Sequence, residues 1–376
     1  MNSGPPILKE QTESLIVKSY EGIVNVAELC GRVICSGTSV ISVRRQTVTR
    51  CGVRHRVPEG SSPVAGECEE FLQHMCCSDV SVPVNHAVDT LMLNKCGGVE
   101  LKCTVIKSTP NRFLIFLHDS ESVTFAQSLI SRNVPADSAI TLRDVQSGNV
   151  VLGVLGPNSY QLLQSLTQTS LSVEQLSTNA TQLMDLGYAS GVRIFRTSCF
   201  GNQDNDWMLL VPSEFAVCLY REIMMAGRKL GAKNVGRSAV DCLRIERAVP
   251  QFGKELTSFI SPKESGLMHW VQLGKKQDFF GKQALLEGKS QHQKKVLVSL
   301  TLKEHDDDNF PWGGELIRRK RFIDWIYNKR VLQHQGREGP FVWVSWKGRD
   351  RTLLFQDEEF EIEIAGSLFP VSVSRQ

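Results

Sequence analysis

The sequence lacks a run of about 20 apolar residues, the length that a helix needs to cross a bilayer. Its first 18 residues hold two glutamates and no arginine, so they resemble neither a secretory signal nor a mitochondrial transit peptide. No Cys-x-x-Cys pair and no cysteine–histidine cluster has zinc-site spacing, and the eleven cysteines form no regular framework. We therefore expect no membrane span, no metal site, and reduced, mostly buried thiols.

Nucleotide-binding glycine patterns are also missing. There is no Walker glycine run, and no Gly-x-Gly-x-x-Gly follows an N-terminal strand, so we expect no FAD on this chain. No Ser/His/Asp or Cys/His spacing suggests a catalytic triad. A net charge of +3 is nearly neutral for 376 residues and gives no argument for a nucleic-acid partner.

Residues 31–63 form a basic stretch with six arginines and no acid before Glu59. It could hold a β-strand near residues 39–43, or it could be a solvated basic loop. Because no aromatic residues are interleaved for base stacking, we expect no nucleic-acid binding here. Residues 318–351 form a second basic stretch, with ten Lys/Arg against three acids.

Periodicity and turn residues predict the secondary structure between these stretches. Helices are predicted at residues 13–29, 67–75, 122–131, 214–230 and 282–286. Strands are predicted at residues 103–106, 112–118, 150–155, 192–200, 207–211, 271–273, 294–302, 357–364 and 368–373.

Four ordered motifs lie between residues 236 and 285. They are Gly-x-x-Ala-x-x-x-Leu-Arg-x-Glu, Phe-Gly-x-Glu-Leu, Ser-Pro-x-Glu-x-Gly-Leu and Asp-Phe-x-Gly-x-x-Ala-Leu, and Met-Leu-Asn-x-x-Gly-Gly occurs earlier, at residues 92–98. Together these motifs resemble the aminomethyltransferase family, which includes the glycine-cleavage T-protein. The family also includes the C-terminal halves of dimethylglycine dehydrogenase, of sarcosine dehydrogenase and of the regulatory subunit of pyruvate dehydrogenase phosphatase. Among these branches, the motifs resemble the phosphatase regulatory subunit most.

The resemblance implies an α+β fold with a T-protein-like folate-binding domain, which contains a ferredoxin-like element, and a small C-terminal β-barrel domain. We expect a divergent N-terminal segment at residues 1–63, the folate-binding-like domain at 64–288, and the C-terminal domain at 289–376. Within the C-terminal domain, residues 318–352 diverge from the family pattern. Sequence divergence, alternative exons or misread frames would each explain the two divergent blocks.

In catalytic relatives the strand after the Gly-Gly turn carries an aspartate near the reacting nitrogen. A carboxylate there can stabilise a developing iminium cation and steer protons. Lys102 occupies the matching position here. Because an ammonium repels the cation that a carboxylate stabilises, this difference argues against one-carbon transfer, and we expect no catalytic residue.

The resemblance offers five candidate folate-binding residues. Asn202 and Asp204 lie in the turn where relatives carry a pterin-binding glutamate, but an Asn/Asp-rich solvated turn is the simpler interpretation. Asn94 is interpreted first as a turn-stabilising residue. Arg244 and Glu246 match Leu-Arg-x-Glu; they could line a pterin pocket, or form a buried Arg–Glu arrangement that ties helices together.

Three functional hypotheses remain. The first is a non-catalytic regulatory or scaffold protein whose partner is the pyruvate dehydrogenase phosphatase catalytic subunit. The second is a tetrahydrofolate-dependent aminomethyl or one-carbon transferase, or the folate half of a dimethylglycine or sarcosine dehydrogenase. The third is a truncated flavoprotein product with neither role. The relatives imply the mitochondrial matrix as the compartment, and tetrahydrofolate as the one cofactor to consider.

Overall fold

The structure is a computed structural model of the chain. It describes residues 40–44, 48–53, 67–117, 122–136, 138, 140–145, 148–172, 176, 179–196, 206–235, 240, 244–245, 247–287, 295–303, 315–319, 322–324, 341–345 and 360–375. The helix predicted at residues 13–29 lies outside them.

Seventeen strands and five α-helices are assigned within the described residues. The strands are β1 (Val40–Arg44), β2 (Val48–Val53), β3 (His86–Leu93), β4 (Val99–Thr109), β5 (Arg112–Leu117), β6 (Ile140–Asp144), β7 (Asn149–Leu155), β8 (Thr181–Leu186), β9 (Ala189–Arg196), β10 (Asp206–Pro212), β11 (Lys233–Asn234), β12 (Lys295–Leu302), β13 (Ile317–Arg319), β14 (Phe322–Asp324), β15 (Phe341–Ser345), β16 (Phe360–Ile364) and β17 (Ser367–Arg375). The helices are α1 (Glu67–Met75), α2 (Ser122–Asn133), α3 (Ser159–Gln164), α4 (Ala216–Gly227) and α5 (Lys282–Leu286).

The first sheet is antiparallel, with strand order β3-β4-β5-β2-β6. Helices α1 and α2 cover one of its faces, because apolar residues alternate along β4 and recur at helical spacing in both helices. Leu101, Cys103 and Val105 of β4 pack there against Leu72 of α1 and Leu129 of α2. The opposite face of β4 carries Lys102, Thr104 and Ile106, and this face points toward the second sheet.

The second sheet has strand order β11-β1-β7-β10-β9-β8, in which only the short β1–β11 pair is parallel. Helices α3 and α4 pack on its outer face through residues such as Leu162 and Leu219. Its inner face meets the first sheet in a shared apolar cluster that includes Ile106, Phe116 and Phe195. The two rings of Phe116 and Phe195 contact edge to face, with centroids 5.3 Å apart.

A polar contact also joins these two sheets. The guanidinium of Arg193 on β9 donates hydrogen bonds to Asn85 Oδ1 at 2.9 Å and to Thr181 Oγ1 at 2.8 Å. Burial lowers the pKa of Arg193 from its ordinary value. Both acceptors bind Nη1, so this nitrogen is hydrogen-bonded where it lies between the sheets.

A third sheet is formed by the C-terminal strands, all antiparallel, in the order β14-β13-β16-β17-β12-β15. Phe360, Ile362 and Ile364 point to one face and pack against Val298 and Leu300. The alternation with Glu361 and Glu363 predicted this half-buried strand. The α+β fold class with a small C-terminal β unit is therefore confirmed.

The basic N-terminal stretch contributes a strand to each of the first two sheets. The strand near residues 39–43 is confirmed as β1, which pairs with β7 and β11. No strand was predicted at β2, which lies between β5 and β6. Because both strands belong to sheets of the following unit, we propose that the folate-domain-like unit begins before residue 64.

The helix predicted at residues 214–230 is divided into three parts. Short 3-10 turns, Ser213–Phe215 and Arg228–Leu230, flank α4. Gly231, with a φ of 74°, ends the segment in the left-handed conformation, as a helix-terminating glycine should.

The prediction of a strand at residues 271–273 is wrong. Its first residue follows a 3-10 turn, Leu267–Trp270, and the Val271 N–H donates to the Met268 carbonyl at 3.0 Å. The Gln272 N–H donates to the Cys77 carbonyl at 3.0 Å. Val271 is buried because it packs in an irregular loop, a setting that a short apolar run does not distinguish from a strand.

In the described part of the chain, no helix is both long and apolar enough to span a bilayer. The same residues contain no group of three or more His, Cys, Asp or Glu side chains placed to bind a metal ion.

Six cysteines of the described segments are free thiols, of which Cys68, Cys76, Cys77 and Cys103 are buried and Cys96 and Cys218 are exposed. Burial raises the pKa of Cys77 from its ordinary value of 9.0 to about 12, and the pKa of Cys103 is also raised by burial. Because the thiolate is the reactive form, iodoacetamide at pH 8 should label Cys96 and Cys218 in the folded protein but Cys77 and Cys103 only after unfolding. Mass spectrometry of native and urea-treated protein would measure this; rapid native labelling of Cys77 would contradict it.

The same burial predicts a loss of stability in alkali. A thiol whose folded pKa lies above its unfolded pKa contributes stability that is fully present below about pH 9 and is lost as pH rises toward 12. Cys77 alone should then lower the free energy of unfolding by about 1.4 kcal/mol per pH unit within that window. Urea unfolding between pH 8 and pH 11 would measure the slope. Cys77→Ala should have a shallower slope, and an unchanged slope would contradict the assignment.

Candidate functional site

The Met-Leu-Asn-x-x-Gly-Gly motif forms the tight turn between β3 and β4. Asn94 Oδ1 accepts hydrogen bonds from the N–H groups of Cys96 and Gly98, both at 2.9 Å, and Asn94 Nδ2 donates to the Ser258 carbonyl at 2.8 Å. Gly97 takes a φ of 81°, which favours glycine. Both ends of the Asn94 amide are thus used inside the fold, which agrees with the turn-stabilising interpretation.

The loop that contains Ser258 and the Asp-Phe-x-Gly-x-x-Ala-Leu motif both pack directly on this turn. A Cβ atom on Gly98 would lie 1.9 Å from the Ser258 carbonyl oxygen, and one on Gly281 would lie 2.6 Å from the Asn94 carbonyl oxygen. Gly281 also has a φ of 82°. The glycines of the two motifs are therefore required for close packing of main chain against main chain.

The Ser-Pro-x-Glu motif forms a reciprocal cap. The Ser261 N–H and hydroxyl both donate to Glu264 Oε2 at 2.9 Å, and the Glu264 N–H donates to Ser261 Oγ at 3.3 Å. This is the capping-box pattern, and both residues are buried. The motif's conspicuous glutamate is thus engaged in shaping its own loop.

Arg244 forms a buried, bidentate ion pair with Glu255. Its Nη1 donates to Glu255 Oε2 at 2.8 Å and its Nη2 to Oε1 at 3.0 Å, and Nη1 also donates to the Val249 carbonyl at 3.2 Å. Glu255 Oε2 accepts from the Gln251 N–H at 2.9 Å as well. A fork-to-fork pair of this kind fixes geometry strongly.

Of the two interpretations of Arg244 and Glu246, the buried Arg–Glu arrangement describes Arg244, and Glu246 lies outside the described residues. Glu255 was missed as its partner, although it is the glutamate of the Phe-Gly-x-Glu-Leu motif. Asn202 and Asp204 also lie outside the described residues. Of the five candidate folate-binding residues, the structure describes Asn94 and Arg244. The side chains of both form hydrogen bonds within the fold.

Lys102 lies on the inner face of β4, with only 6% of its surface exposed. Its Nζ donates a hydrogen bond to the Pro250 carbonyl at 2.9 Å and lies 4.7 Å from the centre of the Trp270 ring. A carbonyl acceptor and an aromatic face are both favourable surroundings for an ammonium. The Arg244–Glu255 pair supports this position, since it anchors the loop that presents Pro250.

Two polar residues share that face with Lys102. Asp89 lies opposite Thr104 in the β3–β4 register, and Thr104 Oγ1 donates to Asp89 Oδ1 at 2.5 Å. Lys102 lies opposite Leu91, so Asp89 is its diagonal neighbour, which long side chains can reach. Sequence reasoning missed Asp89 because no motif marks it; the strand register alone identifies it.

Glu100 does not replace the missing carboxylate. The register between β3 and β4 shifts beside Met92 and Leu93, so Glu100 is the extra residue of a bulge. Its carboxylate lies 3.6 Å from the guanidinium of Arg132 on α2. Position 102 thus carries an ammonium, and the carboxylate on the same face is that of Asp89 on the neighbouring strand.

A second ion pair ties the same loop to the hairpin of β9 and β10. Arg247 Nη1 lies 2.9 Å from Oδ2 of Asp206, which is completely buried at the start of β10. At that end of the hairpin, the Arg196 guanidinium lies 4.7 Å from the centre of the Trp207 ring. Arg247 and Arg196 thus both contact the first residues of β10.

Comparisons with known proteins agree with this architecture. Residues 44–275 match the family model described as the GCVT N-terminal domain. The crystal structure of the glycine cleavage system aminomethyltransferase T from Bartonella henselae superposes with a TM-score of 0.72, covering 93% of this chain and 88% of that one at 14% sequence identity. This likeness shows the fold, and it confirms the T-protein-like fold expected from the motifs.

Two curated relatives share more sequence. The mitochondrial pyruvate dehydrogenase phosphatase regulatory subunit of Mus musculus is 34% identical over 81% of this chain and 35% of its own length. The mitochondrial dimethylglycine dehydrogenase of Rattus norvegicus is 31% identical over 73% of this chain and 31% of its own length. The chain thus spans about a third of the length of these relatives. With the GCVT model matching more than half of it, the chain belongs to the aminomethyltransferase family of the glycine-cleavage T-protein.

Proposed function

We propose that this chain is a regulatory or scaffold member of the family that acts by binding a protein partner and does not transfer one-carbon groups. The carrying observation is Lys102, whose buried ammonium lies where catalytic relatives are expected to carry an aspartate. The Pro250 carbonyl and the face of the Trp270 ring are both suitable neighbours for an ammonium at this position. A positive charge at this place opposes the cationic intermediate of aminomethyl transfer.

The family motifs themselves give no support for catalysis. Asn94, Gly98 and Gly281 build the β3–β4 turn, Ser261 and Glu264 form a cap, and Glu255 neutralises Arg244. A chain can therefore keep these motifs because the fold requires them, whether or not it binds folate. The presence of these motifs is therefore compatible with a family member that keeps the fold without the chemistry.

The relative named as a pyruvate dehydrogenase phosphatase regulatory subunit suggests the partner. We take the catalytic subunit of that phosphatase as the first candidate, and the mitochondrial matrix as the compartment, since both relatives carry mitochondrial names. Retention of the catalytic subunit by the immobilised chain would support this assignment, and its absence from the bound fraction would exclude it.

Calorimetric titration with tetrahydrofolate and its 5-formyl derivative tests the loss of catalysis. We expect no detectable heat from protein shown to be folded by circular dichroism. Binding in the micromolar range would mean that about 8 kcal/mol of pocket interaction survives, and would overturn the non-catalytic proposal.

A tetrahydrofolate-dependent transferase is the second candidate, and one observation favours it. Asp89 places a carboxylate on the same face as Lys102, on the neighbouring strand. If the pocket otherwise survives, Lys102→Asp should raise tetrahydrofolate affinity at least about tenfold, because it restores the acceptor that the family resemblance places at this position. Lys102→Met is the matched control without charge, and equal affinities for Lys102→Asp and the unsubstituted chain would count against a transferase.

A further inference from the structure

The outward face of α4 carries apolar side chains that are open to solvent. Four exposed side chains lie within about 100° of one another around the helix axis, because each residue of an α-helix turns by about 100°. They are those of Val217, Cys218, Arg221 and Met225. The opposite face of α4 is buried in the core through residues such as Leu219. Val217 and Met225 are 62% and 76% exposed, so the helix has a second apolar surface besides the one that fills the core.

The tip of the β8–β9 hairpin extends this surface. The Tyr188 N–H donates a hydrogen bond to Glu222 Oε2 at 3.2 Å, which holds the hairpin beside α4. Met225 lies about one helical turn after Glu222. Tyr188 is 84% exposed, and Tyr188 and Met225 are the two most exposed large apolar side chains that the structure describes. Because both adjoin Glu222, this surface is a patch and not a set of scattered side chains, and such patches mark interaction sites.

The side chains of this face are arranged symmetrically about Arg221. Val217 and Met225 each lie four residues from Arg221, one before it and one after it. Glu214 and Arg228, which are exposed in the flanking 3-10 turns, each lie seven residues from it and carry opposite charges. Seven residues are nearly two helical turns, so these two charges lie on the same face as Arg221.

This symmetry makes the face complementary to an antiparallel copy of itself. In a two-fold interface, residue i contacts residue j of the second copy, and residue j contacts residue i. With the axis beside Arg221, Val217 is opposite Met225, and Glu214 is opposite Arg228. The two Arg221 side chains meet near the axis, where each has the carboxylate of Glu222 from the other copy beside it. The charges on the two faces therefore cancel, as specific association requires.

We propose that α4 and the tip of the β8–β9 hairpin form the interface of a homodimer, in which two copies of α4 pack antiparallel about a two-fold axis beside Arg221. A partner of a single charge sign would match one end of this face and be repelled by the other, whereas a second copy of the chain matches both ends. Tyr188 covers the edge of the apolar contact between Val217 and Met225. The inference goes beyond the proposed function and does not depend on it.

Sedimentation equilibrium of the full chain between about 1 and about 100 µM tests the proposal, because an interface of one helix face and one hairpin is small and its affinity modest. We expect a concentration-dependent dimer that Val217→Glu weakens at least about tenfold, since it buries a carboxylate against an apolar side chain. Leu286→Glu is the matched control: Leu286 is also 62% exposed but lies on α5, and its replacement should change the affinity by less than about twofold.

A charge pair tests the antiparallel arrangement itself. Met225→Arg alone should weaken the dimer as Val217→Glu does. The double variant with Val217→Glu and Met225→Arg should recover an affinity within about tenfold of that of the unsubstituted chain, because each new carboxylate then meets a new guanidinium of the other copy. Circular dichroism would confirm that each variant is folded, which is expected because both positions are exposed.

Three results would overturn the proposal. The first is an unsubstituted chain that stays monomeric throughout the concentration range. The second is a dimer that Val217→Glu weakens no more than Leu286→Glu does, which would place the interface elsewhere. The third is a dimer that both single variants weaken and the double variant does not recover, which would exclude the antiparallel pairing of Val217 with Met225.

Discussion

Replacing Arg244 with methionine should lower the free energy of unfolding by about 3–5 kcal/mol. The side chains of Arg244 and Glu255 are only 5% and 4% exposed. Removal of the guanidinium leaves a buried carboxylate whose two oxygens lose the charged donors of Arg244, although Oε2 keeps the hydrogen bond from the Gln251 N–H. Urea unfolding followed by circular dichroism would measure the loss.

Two further variants separate charge burial from other causes. The double variant with Arg244→Met and Glu255→Leu should recover much of the loss, since a buried ion pair can be exchanged for apolar side chains at little net cost. Arg132→Met is the exposed control: Arg132 is 56% exposed and 3.6 Å from Glu100, so its replacement should cost less than about 1 kcal/mol. A loss at Arg244 no larger than that at Arg132 would show that the buried pair does not stabilise the fold.

Replacing Gly98 with alanine should destabilise the protein by about 3 kcal/mol, the upper end of the usual cost of overpacking. The added methyl group would lie 1.9 Å from the Ser258 carbonyl oxygen, which is main chain and cannot rotate away. The turn must then separate from the loop that Asn94 Nδ2 binds. Thermal and urea unfolding would both record the change.

Gly274→Ala provides the matched control, because a Cβ atom there meets nothing within 4 Å. Its effect should be within about 0.5 kcal/mol, as for ordinary surface substitutions. If Gly98→Ala were as mild as Gly274→Ala, the close approach of the two loops would not be required for stability.

Local patterns predicted most of the regular elements. The limits of α1, α5, β7 and β12 agree with prediction to within a residue, because strict periodicity or clear turn residues mark each of them. Strand β2 was missed because its sequence, which includes Arg50 and Gly52, has no regular alternation of apolar and polar residues. Its pairing with β5 and β6 is set by tertiary contacts.

The candidate site was harder to predict than the fold. Arg244 pairs with Glu255 because the loop of residues 247–256 folds back toward Arg244. The spacing of residues along the chain does not predict this pairing. The diagonal relation of Asp89 and Lys102 likewise depends on the register between two strands. The family resemblance singled out position 102, and the contacts of Lys102 with Pro250 and Trp270 required coordinates.

The placement of β1 and β2 has a consequence for how this chain is made in the cell. Both strands leave the ribosome before their partners, because Val40 pairs with Lys233 and Val48 with Phe116. Until then each strand offers unpaired N–H and C=O groups to any neighbouring chain. The growing polypeptide must therefore hold two sheets incomplete during synthesis, and chaperones that bind extended segments should increase its yield of folded product.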